Sequence, residues 1–348
     1  MTQGVRRTWR LSWTGVRLLL LSAIVLIVGG GMALSGPPSI AWVTVRWEEV
    51  DRLFGVYVPK GVPGTARPSA PIVVLLHGGG GSASKTWARE HGRSWRALAD
   101  EHGFVLVLPE GRADSSNPDN HHWNDCRAAG AHGDVGTDAD DVGFILGVLD
   151  AVRTEYAIEG ASVFVTGASN GGMMTFRLAL EAGEQFAAAA AVIANQPDPS
   201  ECRPQADPIP MLIMNGTDDP LMPFEGGCVA DSRCDRGQVM STRQTVEFWV
   251  ELNQAEETPN IERLANRSWL DFSSVVVHTH VGHEGGADVV YYEIEGGGHS
   301  YPGSERQSVA YRKLAGRKNR DIDGPKEIWA FFSRVLSDVS SRGGGGES

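Results

Sequence analysis

The sequence Ser162-Val-Phe-Val-Thr-Gly-Ala-Ser-Asn-Gly-Gly-Met173 passes from a strand to a helix through one tight turn. The β-branched and aromatic residues of 162–166 predict a buried strand, and 171–182 has a helical pattern. Between them, Gly167-Ala-Ser-Asn-Gly171 matches G-x-S-x-G, in which the glycines permit a turn sharp enough to expose the serine. We therefore predict that Ser169 is a nucleophile. The alternative is a serine that caps the following helix.

The chain around this turn alternates between strand-like and helix-like segments without repeats. The strand-like segments are 41–47, 53–58, 71–76, 104–108, 162–166, 210–214 and 289–294, and the helix-like segments are 87–100, 141–153, 171–182, 239–252 and 327–336. Because an antiparallel hairpin comes first and strands then alternate with helices, we predict an α/β fold with a doubly wound, mostly parallel sheet. We assign this domain to residues 41–338.

The two ends of the chain differ from this domain. Four arginines (Arg6, Arg7, Arg10 and Arg17) precede an apolar run that begins at Leu18 and continues to Leu34. This pattern predicts that residues 1–35 are an export signal or an N-terminal membrane anchor, and the pattern does not choose between them. We expect an extracytoplasmic protein, secreted or periplasmic. Residues 339–348 are expected to form a flexible glycine-rich tail.

Charge and cysteine content restrict the partners and the compartment. The formal net charge is −12, which argues against nucleic acid or an anionic membrane surface as a partner. The four cysteines, an even number in a chain expected to be exported, permit two disulfides in three possible pairings. Cys228 and Cys234 are the most local pair. We expect all four cysteines to be structural rather than metal ligands.

A serine attacks a carbonyl carbon only when a base takes its proton. His299 lies on a glycine-rich loop after the last predicted strand, and Asp219 follows the strand 210–214. The chain order serine, acid, histidine is that of the α/β-hydrolase fold, so we predict that His299 is the base and that Asp219 orients it. Asp218 is an adjacent competitor that the pattern does not exclude. His91, His102, His121, His122 and His132 are expected to be surface or core residues.

Backbone groups complete the predicted site. Gly78 to Gly81 follow the strand that ends at His77, where backbone N–H groups would face the turn. We predict an oxyanion hole formed by the N–H of Gly79 or Gly80 together with that of Asn170. Trp123 is a candidate for stacking on an aromatic or sugar group of a substrate. A buried tryptophan is the alternative.

Two other clusters could suggest a metal. Asp138, Asp140 and Asp141 precede a predicted helix, and His278, His280 and His283 lie near a predicted strand end. Acids before a helix favour its N-terminal dipole, and the histidines fit a solvated strand end. We therefore predict no metal.

Several segments together resemble a known family. They are Leu76-His-Gly-Gly-Gly80, Asp140-Asp-Val-Gly-Phe144, Gly167 to Met173, Asn215-Gly-Thr-Asp-Asp-Pro220, Gly297-Gly-His-Ser-Tyr-Pro-Gly303 and Ile328-Trp-Ala-Phe-Phe332. In this order they resemble poly(3-hydroxybutyrate) depolymerase-like and feruloyl esterases. The resemblance implies a Ser169, Asp219 and His299 triad, favours Asp219 over Asp218, and implies no cofactor.

The resemblance also implies substrates. Members of the family cleave hydroxyalkanoate esters, or feruloyl and acetyl esters on polysaccharides. Asn215 stands where a histidine is usual, and Tyr301 stands where a tryptophan is common, so Tyr301 is expected to shape the substrate pocket. No polymer-binding module is expected after Leu336, which favours small esters or soluble oligomers as substrates. The rival functions are a serine peptidase and a non-catalytic exported binding protein built on the same scaffold.

Overall fold

The computed structural model describes residues 7–10, 39–60, 69–114, 117–127, 139–204, 207–230 and 233–343. Its strands are β1 (Arg7–Arg10), β2 (Ala41–Trp47), β3 (Val50–Tyr57), β4 (Ile72–Leu76), β5 (Val105–Pro109), β6 (Arg112–Ala113), β7 (His121–His122), β8 (Val163–Ala168), β9 (Ala188–Val192), β10 (Met211–Gly216), β11 (Gly227–Cys228), β12 (Gln238–Val239), β13 (Asn260–Arg263), β14 (Ser274–His280) and β15 (Val289–Glu295). Its α-helices are α1 (Ala83–Ala88), α2 (Glu90–His102), α3 (Asp141–Tyr156), α4 (Asn170–Glu181), α5 (Thr242–Leu252), α6 (Val309–Ala315) and α7 (Gly324–Gly343).

In the described part of the chain, eleven strands form one sheet in the order β1-β2-β3-β5-β4-β8-β9-β10-β15-β14-β13. The leading hairpin β2–β3 is antiparallel, and the central strands from β5 to β15 pair in parallel. Strands β14 and β13 then add an antiparallel edge. This is the predicted α/β-hydrolase fold, a mostly parallel sheet that begins with an antiparallel hairpin.

Helices cover both faces of the sheet, so its central strands are buried on both sides. Val163 and Val165 of β8 belong to one core with residues of α3, α4 and α5, while Phe164 faces a second core with residues of α2 and α7. This double burial explains why the central strands are continuous apolar runs rather than alternating ones. The carboxyl ends of β4, β8, β10 and β15 meet at one edge of the sheet, because these strands run in parallel.

The sequence pattern missed strand β9, whose residues are almost all alanine. Alanine favours helices, so the composition gave no strand signal. The structure gives the physical reason for the alanines: helix α4 approaches so closely that a Cβ at Gly172 would lie 2.6 Å from the Cβ of Ala194, just after β9. Only small side chains fit beneath such a helix.

The two chain ends correspond only in part to the predictions. Of the segment predicted as signal or anchor, the structure describes Arg7–Arg10, which form β1 beside β2, and the rest lies outside the described residues. No described helix has the length and apolar character needed to cross a membrane. Helix α7 continues to Gly343, so the predicted start of the tail at 339 is wrong. Residues 339–342 contain no glycine or proline, so no helix-breaking residue ends the helix before Gly343. Residues 344–348 lie outside the described residues.

Two disulfides join the four cysteines. Cys228 bonds to Cys234, as expected for the most local pair, and Cys126 bonds to Cys202 across 76 residues of chain. The second bond links the loop after β7 to the segment after β9. It therefore stabilises loops on the edge of the sheet where β8 ends.

Candidate active site

Ser169 lies at the tip of the turn between β8 and α4. Its backbone has φ 58° and ψ −123°, a region that residues with a side chain rarely adopt. The serine is the N-terminal flanking residue of α4, yet its side chain makes no capping hydrogen bond, so the capping alternative is wrong. Ser169 is instead a partly exposed residue at the N-terminal end of α4, where the helix dipole is positive.

The flanking glycines are required by close backbone contacts. A Cβ at Gly167 would lie 2.3 Å from the carbonyl oxygen of Gly171, and a Cβ at Gly171 would lie 2.5 Å from the carbonyl oxygen of His77. Real Cβ atoms do not approach backbone oxygens so closely. Strand β8, helix α4 and the end of β4 therefore meet without room for a methyl group, and this packing stabilises the unusual backbone of Ser169.

His299 and Asp219 form a buried hydrogen-bonded pair. Nδ1 of His299 donates to Oδ2 of Asp219 at 2.7 Å, while Oδ1 of Asp219 accepts from the backbone N–H groups of Leu221 and Met222, each at 2.8 Å. The competitor Asp218 is exposed and contacts Arg317 instead. With Nδ1 protonated, Nε2 of a neutral imidazole is an unprotonated base.

The loop after β4 brings backbone donors beside Ser169. The N–H of Gly80 donates to the carbonyl of His121 at 3.0 Å, so it is not available for an oxyanion. Gly79 lies against the tight turn 167–171, called the elbow below, since a Cβ at Gly79 would be 3.3 Å from the Cβ of Asn170. Asn170 is the first residue of α4, where a backbone N–H has no partner within the helix. Of the two predicted glycines, the geometry favours Gly79.

The side chain of Asn170 fastens the elbow to the loop after β7. Its amide oxygen accepts from the N–H of Trp123 at 2.8 Å, and its amide nitrogen donates to the carbonyl of Trp123 and to Asp125. Asp125 also forms a buried ion pair with Arg127, with Oδ2 and Nη2 separated by 2.8 Å. Burial makes this network costly to leave partly unpaired. It therefore restrains the position of Asn170.

His77 stabilises the loop after β4 through hydrogen bonds of its two ring nitrogens. Its Nδ1 donates to the carbonyl of Gly78, and its Nε2 accepts from the N–H of Gly111 at 2.9 Å. Complete burial lowers the pKa of His77 to about 3, against an ordinary value of 6.5. The ring is therefore neutral at physiological pH, which is the state that can donate from one nitrogen and accept at the other.

The predicted substrate-binding residues are both buried. Trp123 is 1% exposed, and its Nε1 donates to the carbonyl of His77 at 2.8 Å. Its ring therefore offers no open face to a ligand, and the stacking role predicted for it is corrected to a structural one. Tyr301 is also buried, with its ring stacked on His91 at 4.7 Å between centroids, so it does not line an open pocket. Neighbouring residues bury most of the surface of both rings, so both contribute to packing of the interior.

Among the described residues, one group of potential metal ligands comes together, namely Cys126, Glu181 and Cys202. The two sulfurs form a disulfide, so no thiolate is present to bind an ion. Asp140 caps α3 as expected, by accepting from the N–H of Gly143, and Asp141 pairs with Arg52. Asp138 lies outside the described residues.

The three histidines of the other cluster do not converge on a common point. His278 contacts Glu293, and Nδ1 of His280 lies 2.7 Å from the carbonyl oxygen of Glu256. His283 is exposed near the strand end. The arrangement is therefore that of separate side chains along β14 and the loop after it.

Sequence reasoning missed several residues of the site. His122, expected at the surface or in the core, places Nδ1 where a Cβ at Gly79 would be 3.1 Å away, so it borders the candidate oxyanion loop. Asp125 and Arg127 gave no motif, because a support that acts through Asn170 has no fixed sequence spacing. For His77, the sequence signal that could have indicated its role was its position directly after β4.

Comparison with known proteins identifies the family. Residues 53–194 match the family model described as Esterase PHB depolymerase. The candidate esterase NocK of Nocardia uniformis subsp. tsuyamanensis is 32% identical over 261 residues, which cover 72% of this chain and 71% of NocK. A poly(3-hydroxybutyrate) depolymerase of Ralstonia pickettii is 30% identical over 53% of this chain and 38% of its own length.

Two further similarities are to a feruloyl esterase and to a solved structure. A probable feruloyl esterase C of Aspergillus flavus is 29% identical over 49% of this chain and 57% of its own length. This chain thus covers less than two thirds of the depolymerase and of the feruloyl esterase. The structure of an acetyl xylan esterase from Aspergillus awamori aligns with a TM-score of 0.48 at 16% identity, covering 84% of this chain and 98% of that one. Given its match to the family model and to NocK, this chain belongs to the Esterase PHB depolymerase family and is a carboxylic ester hydrolase.

Proposed function

We propose that the protein is an exported serine esterase in which Ser169, His299 and Asp219 act as a catalytic triad. The hydrogen bond from His299 Nδ1 to Asp219 carries this proposal, because it leaves Nε2 as the base and lies on the sheet edge where β8 presents Ser169. Asp219 in turn is positioned by two backbone N–H groups. This is the division of roles that nucleophilic catalysis requires.

The reaction has two halves. Ser169 Oγ bonds to the ester carbonyl carbon while His299 takes its proton, and the imidazolium then gives that proton to the departing alcohol oxygen. Water next attacks the acyl-enzyme with His299 again as base, which releases the acid and restores Ser169. The N–H groups of Gly79 and Asn170 would stabilise the negative oxygen of each tetrahedral intermediate.

We propose hydroxyalkanoate oligomers or feruloyl and acetyl esters as the substrate class. The names of the depolymerase of Ralstonia pickettii and of the feruloyl esterase of Aspergillus flavus support this choice. No cofactor enters the proposed steps. The triad provides nucleophile, base and acid by itself.

The decisive experiment compares the full chain with Ser169→Ala on p-nitrophenyl acetate and butyrate, methyl ferulate and 3-hydroxybutyrate oligomers. We expect a loss of about a thousandfold or more in kcat, and loss of labelling by a fluorophosphonate. Ser241→Ala is the matched control, because Ser241 caps α5 through a hydrogen bond to Gln244. That variant should lose stability and keep activity. A folded parent that cleaves no ester and resists the fluorophosphonate would instead indicate a binding protein.

We also propose an extracytoplasmic location. The arginines before the apolar run at 18–34 and the two disulfides support it. Cell fractionation with N-terminal sequencing tests it: a new N-terminus near residue 36 indicates cleavage, and an intact membrane-bound chain indicates an anchor. Intact chain in the cytoplasm with free thiols would contradict export.

A further inference from the structure

A cleft of about 290 Å³ lies beside the His299 loop and is lined by positive side chains. Its lining includes Arg306, Arg312, Arg317 and Arg320, with Gln307 and Leu270. We refer to these residues as the cationic cleft. The chain as a whole has a net charge of −12, so composition does not account for a concentration of arginines here.

Two of these arginines, Arg306 and Arg312, remain available to bind an anion. The other two already have contacts: Arg317 contacts Asp218 at 3.7 Å, and Nε of Arg320 donates to the carbonyl of Ser304. Within the described residues, Arg306 and Arg312 have no acidic partner, and both are exposed. A guanidinium group binds a carboxylate through two parallel hydrogen bonds.

The cleft is positive overall although one acid lines it. Lys318, which also lines the cleft, is paired with Glu90. Asp271 accepts from Ser273 and from the backbone N–H of Arg320, which are neutral donors, so it keeps its negative charge. Four arginines outweigh this single carboxylate, and the net charge of the cleft is therefore positive.

The cleft is joined directly to the loop of the catalytic histidine. The N–H of His299 donates to the carbonyl of Ala315, and the N–H of Gly298 donates to the carbonyl of Arg317. The side-chain amide of Gln307 donates to the hydroxyl of Ser300, which follows His299. These bonds pack the residues of the cleft against the loop that carries His299.

Apolar side chains surround the positive ones. Trp269 is 71% exposed and Phe272 is 62% exposed, next to Leu270. On α6, Leu314 is 61% exposed, and the guanidinium of Arg317 lies over the ring of Phe272 at 5.7 Å from its centroid. The surface thus combines fixed positive charge with apolar area. An anion attached to an apolar chain fits this combination by charge and by hydrophobic contact.

We infer that the cationic cleft binds a carboxylate carried by the alcohol portion of the ester, an inference that rests on the proposed function. His299 gives its proton to the departing alcohol oxygen, so the alcohol portion lies on the His299 side of the site. Arg306 and Arg312 then pair with its carboxylate. A hydroxyalkanoate oligomer with a free carboxyl end has such an alcohol portion, because each departing unit is itself a hydroxy acid.

The test compares 3-carboxy-4-nitrophenyl butyrate with 4-nitrophenyl butyrate. The ratio of their kcat/KM values is measured for the parent and for Arg306→Gln/Arg312→Gln, so that the intrinsic difference between the two phenols cancels. We expect the double substitution to lower this ratio about tenfold. Added 0.5 M NaCl should lower it in the parent, because salt screens exposed charges.

Two controls make the result specific. Arg203→Gln/Arg243→Gln removes the same charge from exposed positions elsewhere and should leave the ratio unchanged. 4-Nitrophenyl hydrogen succinate carries its carboxylate on the acyl portion, and its hydrolysis should not respond to the loss of Arg306 and Arg312. An unchanged ratio in Arg306→Gln/Arg312→Gln, or a loss confined to the succinate ester, would overturn the inference.

Failure of the proposed function is recognised separately. If the parent hydrolyses none of these esters, binding of the phenol 5-hydroxy-2-nitrobenzoate is measured by titration calorimetry. Binding by the parent that weakens about tenfold in Arg306→Gln/Arg312→Gln sustains the anion site without catalysis. Equal binding by both, or no binding by the parent, overturns it.

Discussion

The side-chain amide of Asn170 donates a 2.6 Å hydrogen bond to Oδ2 of Asp125, which is itself paired with Arg127. Asn170 follows the proposed nucleophile, and its backbone N–H is one of the two proposed oxyanion donors. The position of that N–H therefore depends on a buried ion pair outside the triad. Loss of the Asn170 side chain should therefore lower both stability and kcat, whereas loss of a purely structural asparagine should lower stability alone.

Asn170→Ala should lower both stability and kcat. It removes one partner of Asp125 and the partner of both backbone groups of Trp123, which costs about 1–3 kcal/mol in the free energy of unfolding. The displaced N–H should also lower kcat by about 10- to 100-fold. Urea unfolding and ester hydrolysis measure the two effects.

Asn253→Ala is the matched control for Asn170→Ala. Asn253 is a buried asparagine that likewise bridges the N–H and the carbonyl of one residue, Ile209, far from the elbow. Its loss should reduce stability and leave kcat unchanged. Equal kcat in both variants would contradict a role for Asn170 in positioning the oxyanion donor.

Asp219→Asn and Asp218→Asn should differ sharply. Oδ1 of Asp219 accepts from two backbone N–H groups, so an asparagine would retain its oxygen there and turn its NH₂ toward His299. The imidazole would then adopt the tautomer with a proton on Nε2, which cannot accept the serine proton. We expect kcat to fall about 10³- to 10⁴-fold.

Asp218→Asn should change kcat by a few fold at most, because Asp218 is exposed and its contact with Arg317 is 3.7 Å long. Steady-state kinetics at constant pH measures both variants. A comparable loss in the two would return Asp218 to consideration as the orienting acid.

Gly171→Ala should destabilise the fold and abolish activity together. Its Cβ would lie 2.5 Å from the carbonyl oxygen of His77 and 2.8 Å from that of Leu76, and both are backbone atoms. We expect a loss of about 3 kcal/mol in the free energy of unfolding. At Gly160 an added Cβ meets nothing within 4 Å, so Gly160→Ala should change stability by less than about 0.5 kcal/mol. Urea unfolding checks both values.

His77 predicts how stability depends on pH. Because burial lowers its pKa to about 3 from 6.5, the unfolded chain binds more protons than the folded chain between these values. The contribution of neutral His77 to the free energy of unfolding is complete above pH 6.5 and is lost as the pH falls toward 3. When the pH is lowered from 7 to 5, the free energy of unfolding should therefore fall by about 2 kcal/mol less in His77→Gln, which cannot titrate at this position, than in the parent.

The measurement for His77 is urea unfolding at several pH values. Both proteins should have the same pH dependence between pH 7 and pH 9, where His77 does not change its charge. Parallel curves below pH 6.5 would show that His77 is not neutral and buried in the folded protein. A uniform loss of stability in His77→Gln leaves this comparison valid, because the slope and not the absolute value is measured.

The sequence alone determined the fold class and three proposed catalytic residues. These are local properties: β-branched runs specify buried strands, and glycines on both sides of Ser169 permit the sharp turn. Chain order then placed an acid and a histidine after later strands. Asp219 and Asp218 could not be separated by the residue pattern alone, because neighbours in a loop differ in direction and not in sequence position.

The tertiary structure decided what depends on long-range packing. Strand β9 is a strand because α4 lies close against it and not because alanine favours one. Gly80 is excluded as an oxyanion donor by a bond to His121, and Trp123 is buried by contacts with His77. The cationic cleft joins α6 to the loop before β14. Such relationships form between residues distant in sequence, so only the folded chain brings their atoms within reach.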